Sequence, residues 1–377
     1  MRVIFSGGGT GGHIYPILAL IKCMKEENVL DDVLFVGTER GLESKLVPSA
    51  GIAFRTLEVQ GFNRKKVMTN FKTIELFRNA TKDAKKIIAD FQPDIVVGTG
   101  GYVSAAIVYA ATKQHIPTII HEQNSVVGLA NKFLAHFVDR ITYVFDDAAK
   151  QFSEKKKLIK TGNPRSQEVL MQLAPADITR IHLRNGLPTV LIFGGSRGAE
   201  RINNTTMKAL PLLNDKPYQI IFATGQSYYN DVKTRLAHEY VSENIAIVPY
   251  VSDMPALLQN ITAVISRSGA TTIAEITALG VPAILIPSPN VTHNHQMKNA
   301  QDLERAGAAI VIPEDDLNVN NFVASIDHIL LDSDYAKKMS QASKNLAITD
   351  AGSRLIRVMS DLINEHAEKN TKNNTKK

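Results

Sequence analysis

Twice in this chain of 377 residues a short apolar run breaks into glycines and passes directly into a helical pattern. Near the start it reads RVIFSGGGTGGH (2–13), and in the second half TVLIFGGSRGAE (189–200). A strand of this kind needs helices on both faces, and its glycines set a tight strand-to-helix turn. Further β-branched runs predict strands at 3–5, 33–36, 95–97, 118–120 and 141–144, then at 190–193, 220–222, 245–248, 263–265, 283–286 and 309–312. They are continuously apolar, not alternating, and helical patterns separate them. That is the signature of parallel sheets buried on both sides. In the first helix Ile14, Ile17, Leu18, Ile21 and Met24 share one side, and Pro16 is tolerated in the first turn. The fold class is therefore α/β, with two Rossmann-like domains whose parallel sheets face each other across a cleft. The turn-rich TGNPR (161–165) is the natural linker and divides the chain into domains 1–162 and 163–349. The last amphipathic segment, with Leu355, Val358, Met359, Leu362 and Ile363, is suited to closing either domain. The polar tail 367–377 is expected to be disordered.

Composition narrows the function classes. The only cysteine, Cys23, sits in a helical pattern, which excludes an intrachain disulfide and a cysteine-rich zinc site and reads as core. The opening apolar run is strand-length, so no signal peptide is expected, and no stretch is long and apolar enough for a membrane span. A formal charge of +6 favours anionic partners. Nucleic acid is not among those expected, because no module of basic and aromatic residues is present.

Strand-to-helix glycine loops present unpaired N–H groups and the positive end of a helix dipole, a setting for phosphate. Gly7, Gly9 and Gly12 satisfy the dinucleotide fingerprint, with Glu39 placed for a ribose. That reading makes the chain an NAD(P)-dependent oxidoreductase. Three more glycine sites favour another reading: GTGGYVS (98–104), GGSRGA (194–199) and SRSGATTIAE (266–275). Glycine loops in both halves suit two diphosphate substrates better than one dinucleotide. The sequence Asp332-Ser333-Asp334 matches the metal-holding D-x-D pattern but reads as a helix N-cap, so no metal and no cofactor are expected.

GGTGGHIYP, GTGGYVS, HEQN, GNPRS, GGSRGA, SRSGATTIAE and NHQMKNA occur in the order found in the MurG family, and the resemblance spans 1–363. It implies the GT-B architecture and an inverting N-acetylglucosaminyltransferase of peptidoglycan synthesis. The implied donor is UDP-GlcNAc. The implied acceptor is lipid I, a muramyl-pentapeptide diphosphate on an undecaprenyl chain. A peripheral place on the cytoplasmic face of the cell membrane follows, along with cell-wall synthesis partners. It also implies a final helix, about 350–366, that packs back on the first domain. A diacylglycerol glycosyltransferase shares several of these motifs and is the alternative, as is a non-catalytic sugar-nucleotide-binding subunit.

By the same resemblance Glu275 binds ribose, Ser196 and Thr272 contact the donor diphosphate, Tyr250 and Val251 hold uracil, and Gln296 meets the sugar hydroxyls. Arg165 matches another donor position and Asn124 a sugar position. Chemistry at the anomeric carbon needs a stabilised leaving diphosphate, which helix dipoles and amides supply, and a base for the acceptor hydroxyl. His13 is the first candidate, since a helix start favours the neutral ring; a binding role toward phosphate competes with it. Glu122 is the second. Thr10, Gly11 and Gly12 would approach the acceptor's diphosphate. The stretch 63–87 mixes Arg64, Lys65, Lys66, Lys72 and Arg78 with Val67, Met68, Phe71, Leu76 and Phe77. It suits an anionic membrane surface, against the plainer reading of a solvated helix with a core face.

Overall fold

The computed structural model describes residues 1–60, 70–171, 174–195, 198–291 and 294–374. It contains two compact units, Met1–Glu168 with Asp350–Lys377, and Val169–Thr349. The division falls after Glu168, later than the expected 162, because the helix Pro164–Leu170 straddles it.

Among the described residues the first unit holds a parallel sheet of seven strands: β1 (Arg2–Gly7), β2 (Asp32–Gly37), β3 (Ala53–Thr56), β4 (Ile95–Gly100), β5 (Thr118–Glu122), β6 (Arg140–Tyr143) and β7 (Leu158–Lys160). Their spatial order is β3-β2-β1-β4-β5-β6-β7. The described residues of the second unit hold six: β8 (Thr189–Phe193), β9 (Gln219–Ala223), β10 (Ile245–Val248), β11 (Ala263–Ser266), β12 (Ala283–Leu285) and β13 (Ala309–Val311), in the order β10-β9-β8-β11-β12-β13. Both are doubly wound sheets whose order reverses once, between β1 and β4 in the first and between β8 and β11 in the second. In such sheets ligands bind beyond the carboxyl ends of the strands at the reversal. In the sequence each of the four glycine motifs lies at the carboxyl end of one of those four strands.

Each sheet is sealed by its own apolar core. In the first unit Ile4, Val36, Val96, Ile107, Ile120 and Ile141 are buried together; in the second, Val190, Ile192, Tyr218, Phe222, Ile265 and Ile284. The last helix, Ala351–Asn374, packs on the helix Gly11–Glu26 and buries Leu355, Ile356, Met359 and Leu362. Arg140 donates to both carboxylate oxygens of Glu365 (2.7 and 2.8 Å), pinning the helix to β6. The helix continues through residues expected to be disordered from 367 on. Ala367, Glu368, Lys369 and Lys372 are good helix formers, and extending an existing helix avoids the cost of nucleation. Cys23 is buried in the packed face of Gly11–Glu26, and its thiol is pushed up to about 11, first by burial and then by Glu168 and Glu27. It is core, not a nucleophile.

Candidate active site

The glycine loops after β1 and β4 lean on one another: Gly8 N–H donates to the Gly100 carbonyl at 3.3 Å. His13, in the first turn of the helix Gly11–Glu26, lies half-buried beside them. Its Nδ1 is 2.7 Å from the Gly8 carbonyl oxygen. A carbonyl only accepts, so Nδ1 carries a proton, and in the neutral ring Nε2 is then the acceptor nitrogen. Gly100 has φ +118°, and a Cβ there would stand 2.9 Å from Nε2, so glycine is what leaves the ring its place. Thr99 Oγ1 donates to the His13 carbonyl at 2.7 Å, and Gln123 Nε2 donates to the Thr99 carbonyl at 3.2 Å. Thr10 is the N-cap residue, exposed, with its hydroxyl not used as a cap. Helix geometry leaves the amides of Gly11 and Gly12 without intrahelical partners. Thr10, Gly11, Gly12 and His13 thus share one helix start.

Glu122 is not placed as a base. It is 2% exposed, and its oxygens accept from Asn124 N–H (3.1 Å), Gly128 N–H (3.0 Å) and Asn131 Nδ2 (2.9 Å). A carboxylate with three donors of its own organises the loop that follows β5, and Asn124 is a residue it holds. Arg165 belongs to the first unit, not the second as the linker position suggested. It pairs with Glu168 at 2.5 Å and lies over the Tyr15 ring, 5.8 Å from the centroid. Two local neighbours therefore fix it beside the His13 helix.

In the second unit, Thr272 lies in the first turn of the helix Ala270–Leu279, and Glu275 follows, 5% exposed, on the next turn. The buried Thr271 hydroxyl at the same helix start makes no hydrogen bond. Gln296 begins the helix His295–Arg305 and its Oε1 accepts from Ser288 N–H at 2.9 Å. Its carboxamide therefore presents its NH₂ as the remaining polar group. Ser268 Oγ donates to the Gln296 carbonyl at 2.7 Å and Asn299 Nδ2 to the Ser268 carbonyl at 3.2 Å, joining the two helix starts. Tyr250 and Val251 follow β10, Tyr250 half-exposed. Ser196 lies outside the described residues. The Asp332-Ser333-Asp334 stretch is a helix cap as read: Asp332 Oδ1 accepts from Asp334 N–H (3.1 Å) and Tyr335 N–H (2.9 Å).

The glycosyltransferase family 28 N-terminal domain matches residues 3–143, and its C-terminal domain matches residues 189–355. The chain is 67% identical to the UDP-N-acetylglucosamine–N-acetylmuramyl-(pentapeptide) pyrophosphoryl-undecaprenol N-acetylglucosamine transferase of Lactobacillus gasseri, over 96% of this chain and 99% of the relative. The chain belongs to the MurG family. The transferase of the same name from Limosilactobacillus reuteri is 52% identical over 97% of this chain and 100% of the relative. Among solved structures, Acinetobacter baumannii MurG superposes with a TM-score of 0.74 at 25% identity, covering 96% of this chain and 99% of that one. The UDP-GlcNAc 2-epimerase of Neisseria meningitidis bound to UDP-GlcNAc shares the fold, with a TM-score of 0.68 at 15% identity over 96% and 100% of the two chains.

The dinucleotide reading loses its residues. Glu39 is exposed, and the Gly9 amide that a pyrophosphate would need donates instead to Glu43 Oε2 at 3.1 Å. Glu43 itself, with Thr99, Thr271 and Asn299, escaped the sequence reading. Two glutamates follow β2 within five positions, and nothing in the sequence marks Glu43, not Glu39, as the one that turns inward.

Proposed function

We propose that this chain is an inverting glycosyltransferase that moves GlcNAc from UDP-GlcNAc to the C4 hydroxyl of the muramyl sugar of lipid I, forming lipid II. One observation carries the reading: identity of 67% with a transferase named for this reaction, along 99% of that relative's length. The local geometry of each unit gives it a mechanism.

On the first unit His13 is the base. Its Nε2 takes the proton of the acceptor hydroxyl as that oxygen bonds to the anomeric carbon and the bond to UDP breaks. Attack opposite to the leaving group inverts the anomeric centre. The carbonyl of Gly8 supports the imidazolium formed, because it already accepts from Nδ1–H. Thr10 and the amides of Gly11 and Gly12 take the acceptor's diphosphate. On the second unit the leaving diphosphate receives the amides at the start of Ala270–Leu279 with the hydroxyls of Thr271 and Thr272. Negative charge that grows on it in the transition state is stabilised there by the helix dipole. Ser196 joins this set by resemblance. Glu275 accepts from ribose hydroxyls, and Tyr250 and Val251 flank the uracil. Gln296 donates its NH₂ to a sugar hydroxyl, while Asn124 and Arg165 complete the sugar and donor contacts. No step requires a bound metal.

Purified protein incubated with radiolabelled UDP-GlcNAc and a short-chain lipid I analogue is expected to yield the lipid II product. His13→Ala should lower kcat about 10²- to 10⁴-fold, the usual range for a general base, with the donor KM nearly unchanged. Undiminished turnover would return His13 to a binding role.

The acceptor's lipid requires a bilayer surface, and the first unit offers one. Phe77, Tyr109, Phe133 and Phe137 pack ring to ring at 5.1–6.1 Å, yet Phe133 and Phe137 remain 40% exposed. Lys113 Nζ lies over the rings of Tyr109 (5.2 Å) and Phe137 (5.8 Å), and Arg78 and Lys132 are exposed on the same helices as Phe77 and Phe133. Aromatic rings beside cations suit the interface of an anionic membrane. On this reading the contact would extend beyond the expected 63–87 stretch. Phe77 is shared with it, Arg64 to Met68 lie outside the described residues, and Ile87 is buried in the core. Among the described residues no helix is long and apolar enough to cross a membrane.

A further inference from the structure

Glu43 opens the helix Glu43–Ser49 and is fully buried. Its carboxylate accepts from three neutral donors: Thr38 N–H (3.1 Å) and Thr38 hydroxyl (2.7 Å) at Oε1, and Gly9 N–H (3.1 Å) at Oε2. The contact with Gly9 is the unusual one. It puts a negative charge against a loop whose chemistry otherwise serves anions. The loop is built to admit it, since a Cβ on Gly8 would stand 2.6 Å from Glu43 Oε1.

The amide of Gly9 and the carbonyl of Gly8 are two ends of one planar peptide group. One end donates to Glu43; the other accepts from His13 Nδ1. The carboxylate, the peptide and the imidazole therefore form one hydrogen-bonded series. A charge at its head polarises the peptide and strengthens the Gly8 carbonyl as an acceptor. The same bond stops the peptide plane from turning over. If it turned, an N–H would face the ring and the tautomer would reverse.

We propose that Glu43 is a positioning residue for the transfer step, acting on His13 through the single peptide group between Gly8 and Gly9. It does for His13 what a directly bonded carboxylate does in other acid–base pairs, at the distance of one amide. The proposal rests on the reading of His13 as the base, and its test separates the two.

Glu43→Ala leaves three donors unmet and endangers the fold, so the informative variant is the near-isosteric Glu43→Gln. With its oxygen kept on Thr38, the new NH₂ meets the Gly9 N–H, donor against donor, and the peptide is released. We expect kcat to fall at least tenfold while the KM for UDP-GlcNAc and its affinity measured by calorimetry stay within twofold of wild type. Imidazole ¹⁵N shifts of His13 should report the Nδ1–H form in the wild-type protein and a mixture of tautomers in Glu43→Gln. Thr38→Val removes one donor from the carboxylate but leaves the bond to Gly9, and should lose at most about twofold in kcat. Wild-type turnover with unchanged His13 shifts in Glu43→Gln would overturn the proposal. So would an Nε2–H tautomer in the unaltered protein, or an equal loss in Thr38→Val, which would make the carboxylate a general loop support. Changed shifts with unchanged turnover would instead remove His13 as base and leave the structural coupling standing.

Discussion

His121 stands next to Glu122 in the sequence and has a different role. It is buried, and burial pushes its imidazole down to about 4. The Thr142 hydroxyl donates to the Ile120 carbonyl at 3.2 Å, so at 3.0 Å it accepts from His121 Nδ1–H. Nε2 is buried without a partner. The folded protein therefore resists protonating a ring that the unfolded chain protonates at its ordinary value near 6.5. Stability is full above that value and is lost as pH falls from there toward 4. Linkage gives a loss of roughly 2 kcal/mol between pH 7 and pH 5 from this one residue. Urea unfolding at the two pH values should show it, and His121→Asn, which keeps a donor toward Thr142, should flatten that part of the difference. A wild-type protein equally stable at both would show that the ring is solvated. His13, by contrast, is half-buried and has its ring oriented by the Gly8 carbonyl.

Among elements, the final helix gives the clearest contrast of magnitudes. Met359 is fully buried in its packed face, so Met359→Asp puts an unpaired charge where no water reaches and should cost 3 kcal/mol or more. The Arg140–Glu365 pair has good geometry but its side chains are 29% and 42% exposed, so Glu365→Gln should cost no more than about 1 kcal/mol. Thermal melts of the two variants against wild type test the order. The elements also show what a sequence of this kind makes legible. All eleven strands read from continuous apolar runs are present; nine are interior strands, apolar on both faces, and β10 and β13 are edges of the second sheet that keep apolar runs of their own. The two that escaped, β3 and β7, are the edges of the first sheet: Ala-Phe-Arg-Thr is mostly exposed and Leu-Ile-Lys follows a run of three lysines. An edge strand need bury only part of itself, and these two have lost the signature that the edges of the second sheet, β10 and β13, retain. The glycine loops were legible as strand-to-helix turns because a chain that turns so tightly leaves its mark in residue type. The network that holds them was not, since Glu43 and Thr99 are ordinary polar letters whose meaning lies in which strand ends stand side by side.

On the scale of the whole molecule, the aromatic surface and the glycine loops after β1 and β4 belong to the same unit, and the function proposed above would have that unit meet the lipid and its acceptor while the other meets the nucleotide. Replacing Phe133 and Phe137 together by serine should weaken binding to vesicles containing anionic phospholipid by about tenfold, consistent with about 1.4 kcal/mol from two partly exposed rings. Activity on a water-soluble short-chain acceptor should be spared. Vesicle sedimentation and the soluble assay separate these outcomes, and loss of both activities together would mean that the rings support the fold. The first unit is also discontinuous, with Val169–Thr349 lying between its two segments. During synthesis the face of the helix Gly11–Glu26 that Leu355, Met359 and Leu362 will cover emerges long before its cover does. At ordinary translation speeds of about 5–20 residues per second, that face waits on the order of ten seconds or more beside a growing nascent chain. A folding catalyst or holdase that shields it for that interval would matter more to the yield of this protein than to its final stability.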